Sequence, residues 1–113
     1  MRRGEVWLVR LDPTVGNEIG KTRPAVIVSD DEVGILQLKV IVPITGWNDD
    51  FSELEWIVRL EVSDENGLSK LSAADAFQVR SVSQKRLIRR LGTLSDTAMQ
   101  EIIAALAIIL NIN

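Results

Sequence analysis

The chain has 113 residues, 46% apolar and 26% charged, with 13 basic and 16 acidic side chains and a net charge of −3. That length supports one hydrophobic core rather than two, so a single domain spanning residues 1–113 is expected. Cysteine and histidine are both absent, which excludes disulfides, thiolate zinc sites and histidine-based nucleophilic triads.

Any enzyme built on this chain must therefore work with Asp, Glu, Lys, Arg, Ser or Thr. The acidic balance argues against a nucleic-acid partner, but the charge is unevenly spread. Residues 1–29 carry +2, residues 30–65 carry −8 and residues 66–113 carry +3. If the two basic ends meet in the fold, a positive surface exists on an acidic protein. The Met1-Arg2-Arg3 start lacks the apolar run of a leader peptide, because Glu5, Arg10 and Asp12 interrupt it. Ile102 to Leu110 is too short to span a bilayer. A soluble, cytoplasmic protein with no membrane partner is expected.

The first strand is expected at Glu5–Leu11, with Val6, Leu8 and Arg10 on one face and Trp7, Val9 and Leu11 on the other. Asp12-Pro13 ends it. A polar loop from Thr14 to Arg23 follows, with glycines at 16 and 20. Pro24–Ser29 is near-continuously apolar and reads as a central strand. A third strand is expected from Leu36 to Thr45, then an acidic loop to Glu53 and a fourth strand at Trp56–Val62. Asp64-Glu65-Asn66-Gly67 signals a turn. A fifth strand is expected from Ser72 to Val82. Ser83-Gln84 starts a short helix through Arg90, and Leu91–Leu94 forms a short returning strand. Ser95 caps a final helix that runs to about Leu110. Its apolar face is Met99, Ile102, Ile103, Leu106, Ile109 and Leu110, widened by Ala105, Ile108 and Ile112. This face is wide enough to suggest a partner. Short strands closed by one helix indicate a mostly-β (α+β) fold, a small bent sheet or barrel.

The chemistry-bearing residues gather at strand ends. The first loop holds Glu18, Lys21, Thr22 and Arg23, and Pro24 keeps Arg23 extended at the mouth of a buried strand. Thr45 stands at the end of the third strand. Gln78 and Arg80, two apart, share a face of the fifth. Cleavage of RNA by its own 2′-hydroxyl needs little more than a guanidinium on the phosphate, a proton acceptor and a proton donor. Each element alone also fits a solvated surface, and Trp47 fits either a base-stacking or a core-covering role.

In order along nearly the whole chain, Arg3-Gly4-Glu5-Val6-Trp7, Leu11-Asp12-Pro13, Gly16 through Ser29, Val42-Pro43-Ile44-Thr45, Gly67-Leu68, Gln78 through Val82 and Arg90 through Ser95 resemble the MazF/PemK-type toxins of toxin–antitoxin pairs. The resemblance implies an SH3-like barrel with a C-terminal α-helix, a homodimer and a cognate antitoxin. It further implies cofactor-free and metal-independent, sequence-selective cleavage of single-stranded RNA to 2′,3′-cyclic phosphate and 5′-hydroxyl ends. It gives Arg23 and Thr45 catalytic roles and puts Glu18, Lys21, Thr22 and Gln78 near the RNA path. One departure stands out: Phe77 occupies a position where many members carry aspartate, and Asp75 is not assigned the missing role. Two other readings keep the same barrel. One is a toxin that binds DNA gyrase without cutting RNA, and the other is a catalytically silent binding module.

Overall fold

The computed structural model describes residues 1–112; Asn113, the last residue of the expected domain span, lies outside them. The strands are β1 (Glu5–Arg10), β2 (Thr22–Ile27), β3 (Leu38–Gly46), β4 (Ile57–Leu60), β5 (Ser72–Asp75), β6 (Arg80–Ser83) and β7 (Leu87–Thr93), followed by helix α1 (Asp96–Leu110). Their order is β4-β5-β3-β2-β1-β7, with β6 also on β3 and every pairing antiparallel. The mostly-β fold with a closing helix is as the sequence indicates. The ladder itself stays open, because β4 and β7 end the path and do not pair.

β2 and β3 are apolar on both faces because each face has its own core. Val26, Val42 and Ile44 pack with Val6, Leu60, Met99 and Ile102 under α1. Ala25, Ile27 and Ile41 pack with Val9, Leu11, Val82 and Leu87 on the other side. Alternation along a strand sends successive side chains to opposite faces. A continuous apolar run is therefore the signature of a strand buried on both.

The expected fifth strand is interrupted. Four residues of β3, from Ile44 back to Ile41, face seven residues from Ala74 to Arg80. The surplus forms a tight turn, Ala76–Gln78, capped by the Asp75 carboxylate on the Phe77 amide at 3.0 Å. Pro43 explains the position of the break. Val28 N–H donates to Val40 O, and Val26 pairs with Val42, so β3 residues 40, 42 and 44 turn their backbone groups toward β2. The Pro43 nitrogen then faces the opposite edge, where it has no hydrogen to offer a ladder. Gln78 and Arg80 consequently do not share a strand face as expected.

The expected helix after Ser83 is also replaced. Only Gln84–Arg86 forms a single turn, and Leu87–Thr93 becomes β7, which pairs with β1 from Glu5–Thr93 to Val9–Leu87. A nonlocal strand partner outweighs the weak local preference for helix. This pairing brings the two basic ends of the chain together, placing Arg89 and Arg90 beside Leu8 and Trp7.

Ser95 caps α1 as expected, its Oγ accepting from Ala98 N–H at 3.1 Å. The buried face is Met99, Ile102 and Ala105, with Ala98, Leu106 and Ile109 partly covered. Ile103, Ile108 and Leu110 point outward instead.

Glu5 ties β1 to β7. Its carboxylate accepts from the Arg2 amide (2.8 Å) and the Trp7 indole (3.0 Å), and lies 3.2 Å from Arg90 Nε. Burial alone raises its pKa; the Arg2 and Trp7 hydrogen bonds and nearby positive charge outweigh this and hold it below the ordinary 4.5. A carboxyl lowered by folding contributes stability above its unfolded value, and that stability is lost as pH falls through the folded value. Glu5→Gln should therefore flatten the acid limb of a Tm-against-pH curve as pH falls below the ordinary 4.5. Parallel limbs in variant and wild type would show that the Glu5 contacts do not contribute.

Candidate active site

The polar loop between β1 and β2 is stitched from within and from outside. Glu18 Oε1 accepts from Val15 N–H at 2.7 Å. The Asp12 carboxylate accepts from Thr14 Oγ1 at 3.0 Å and from the Lys21 amide, which lowers its pKa. Lys21 itself sits in the left-handed region at φ 66°, a conformation uncommon outside glycine. Its carbonyl accepts from Leu11 N–H at 2.8 Å, so the loop closes back on the end of β1.

From outside, Gln78 clamps the loop with both ends of its amide. Its Oε1 accepts from Ile19 N–H (3.0 Å) and its Nε2 donates to Asn17 O (2.9 Å). Arg80 Nη1 donates to Leu11 O at 3.1 Å. Arg86 Nη1 donates to Arg10 O (3.0 Å) and Asp12 O (2.6 Å). Two arginines thus hold the exit of β1. Their role here is backbone anchoring, which spacing in a sequence does not reveal. Gln78→Ala should cost about 1–3 kcal/mol, since two backbone groups lose their partner. Faster hydrogen exchange at the Ile19 amide would register the loosened loop; unchanged exchange would count against the clamp.

Arg23 and Thr45 come together. Pro24 ends the β2–β3 ladder, and two residues beyond the Ala25–Pro43 pair Arg23 and Thr45 extend from the mouths of neighbouring strands. Both line a cleft of about 220 Å³, with Thr22, Ser69, Lys70 and Ser72 supplying the rest of its polar wall. Arg23 Nε donates to Gly20 O at 3.1 Å. That bond orients the guanidinium, and among the described residues none takes up its two Nη groups, which are left for a ligand. Thr45 Oγ1 makes only a long 3.4 Å contact to Gly46 O, so its hydroxyl is free to reorient.

Glu18, Gln78 and Arg80 line a separate cleft of about 320 Å³ with Ile19, Pro43 and Phe77. Lys21 lines neither. The other sequence-predicted residues fall into two clefts that border β3 at Pro43 and at Thr45. Phe77 is 64% exposed and meets Trp56 edge-on, with ring centroids 6.0 Å apart. Burial raises the Asp75 pKa against the lowering effect of the Phe77 amide, and its carboxylate is engaged as the turn's cap. Trp47 donates to Asp49 Oδ1 at 3.1 Å and carries the Arg59 guanidinium 5.6 Å from its ring centroid. Ser69 and Lys70 were missed in the sequence. The Asn66-Gly67 turn was the available signal that residues just after it return to a strand mouth.

Residues 2–110 match the family described as PemK-like, MazF-like toxin of type II toxin-antitoxin system. The chain belongs to this family. It is similar to other PemK/MazF proteins over most of its length. It is 32% identical over 118 residues to Endoribonuclease MazF9 of Mycobacterium tuberculosis, covering 99% of this chain and 98% of that one. It is 35% identical over 112 residues to Endoribonuclease PemK of Escherichia coli, covering 97% and 82%. Its fold is similar to that of an endoribonuclease solved with its cognate antitoxin from Mycobacterial species (TM-score 0.80, 22% identity, 100% and 97% covered). No helix among the described residues is long and apolar enough to cross a membrane.

Proposed function

We propose that this PemK/MazF-family chain is the endoribonuclease toxin of a toxin–antitoxin pair, cutting single-stranded RNA at the Arg23–Thr45 cleft. The observation that carries the reading is that cleft: a guanidinium with free Nη donors and a reorientable hydroxyl side by side at two strand ends. Membership of a family whose relatives are named endoribonucleases supports it. The family match over nearly the whole chain supports a single toxin domain.

In the reaction, the RNA 2′-oxygen attacks the adjacent phosphorus and loses its proton. The bond from phosphorus to the 5′-oxygen breaks, and that oxygen gains a proton. The products are a 2′,3′-cyclic phosphate and a 5′-hydroxyl. Arg23 presents paired donors to the non-bridging oxygens, where charge builds. A guanidinium, with five N–H donors and no acceptor, serves here as a charge stabiliser rather than a base. Thr45 hydrogen-bonds the reacting 2′-hydroxyl or phosphate. Gln78, Glu18 and Arg80 act one step back, holding the loop that carries Lys21, Thr22 and Arg23.

A cognate antitoxin would silence the enzyme; a structural relative is solved with its own antitoxin. The outward Ile103, Ile108 and Leu110 of α1 support a homodimer. The work would be cytoplasmic, where mRNA is found.

The test is digestion of a long unstructured RNA in EDTA, with mapping of the fragment ends. Discrete cuts bearing 5′-hydroxyl ends are expected. Folded protein that cuts none of several varied RNAs would sink the reading; supercoiling inhibition in a gyrase assay would then favour a binding toxin.

A further inference from the structure

Lys70 lies in the short segment between the Asn66 turn and β5, and both ends of that segment are fixed. Asn66, buried in its turn, accepts from Ser63 N–H (3.2 Å) and Leu68 N–H (3.0 Å) and donates to Glu61 O (2.8 Å). Leu68 is buried, which anchors the segment. On the far side, Ser72 Oγ donates to Lys70 O at 2.8 Å, Trp47 N–H donates to Leu71 O at 3.0 Å, and Ser72 pairs with Gly46. The Lys70 backbone is thus held between two fixed points.

Its side chain lies across the exit of β3. Cε and Nζ are each 3.2 Å from the point where a Cβ on Gly46 would stand. The missing side chain at Gly46 makes room for the ammonium directly beyond Thr45. Arg23 and Lys70 line the same cleft, and no carboxylate lines it with them. Among the described residues, none of the ion pairs uses either cation. On a chain whose net charge is −3, two unpaired cations, four hydroxyl side chains and no acid in one cleft form a site for an anion. The hydroxyls and the two donor types suit a phosphodiester.

We propose that Lys70 is a second phosphate-binding residue of this cleft. Its ammonium contacts a non-bridging oxygen of the phosphodiester held by Arg23 and shares the charge that builds as the 2′-oxygen attacks. The catalytic half of this inference rests on the nuclease reading; the binding half does not.

Two assays on wild type, Lys70→Ala and Lys70→Arg separate these halves. One is single-turnover cleavage of a short RNA with one mapped cut site. The other is anisotropy of the same RNA carrying a 2′-O-methyl group at that site, read at several salt concentrations. An uncut single-stranded RNA of similar length serves if no site maps. Lys70→Ala should cut about 100-fold more slowly. Its binding should weaken, with a log–log salt slope shallower by about 0.7. Lys70→Arg should keep the slope and most of the rate. A merely structural role would not move the salt slope. Binding within about twofold of wild type and an unchanged slope in Lys70→Ala would overturn the proposal. If wild type binds in a Lys70-dependent way yet cuts nothing, the phosphate site stands and the nuclease reading fails.

Discussion

Arg23→Ala is expected to fold like the wild type and to cut RNA about 1,000-fold more slowly. The side chain is half-buried, and its one hydrogen bond among the described residues is Nε to Gly20 O. Losing that bond costs about 1 kcal/mol of stability. The larger loss is in the reaction. A preorganised donor aimed at developing charge accelerates by about 100- to 1,000-fold, and a guanidinium presents two charged donors in a fixed fork. Arg23→Lys restores charge without the fork and should recover only part of the rate. Single-turnover cleavage beside a melting curve checks both halves. An alanine variant that cuts within about tenfold of wild type would move the chemistry away from Arg23.

Gly92→Ala is expected to have the largest effect on stability. Gly92 lies on β7 opposite Val6, where the chain passes against the Glu65–Gly67 turn. A methyl group there would fall inside van der Waals contact with the Glu65 and Asn66 carbonyl groups. These atoms are backbone, and Thr93 N–H holds the Glu65 carbonyl at 2.7 Å. No side chain can swing aside to relieve the overlap. Gly67 meets the Leu91 carbonyl in the same way and sits at φ 67°, so the crossing is tight from both directions. The cost should exceed about 3 kcal/mol, a fall in Tm of more than roughly 10 °C. Because the crossing also positions Leu68 and Lys70, residual folded protein should cut RNA more slowly. A Tm within about 2 °C of wild type would show that the two segments separate easily.

Much of the framework was legible because its causes are local. The apolar run of β2 marked a central strand, and the Val and Ile of β3 marked a strand beside it. Ser95 and the spacing of Met99, Ile102, Ile103, Leu106, Ile109 and Leu110 marked α1, although the buried face is rotated onto Met99, Ile102 and Ala105 so that Ile103 and Leu110 look outward. Arg23 was legible at a strand mouth because Pro24 restricts its backbone, and Thr45 because its strand ends there. The quoted family motifs named the family before any geometry was available.

What the sequence determined by itself was the residue chemistry, the strand and helix segments with strong periodicity, and the family. What only the tertiary structure decided depends on partners distant along the chain. Leu87–Arg90 has the composition of a short helix and becomes a strand because β1 offers it an edge. Ser72–Val82 reads as one strand but breaks at Ala76–Gln78, opposite a proline that cannot donate. Gln78 and Arg80 also hold the carbonyls and amide of a loop some 60 to 70 residues earlier, contacts that their spacing in the sequence does not show. Lys70 joins Arg23 and Thr45 only because the Asn66 turn folds back to the exit of β3. Local pattern carries information over a turn or a strand, whereas these placements are settled by hydrogen bonds and packing between segments that meet only in the folded chain.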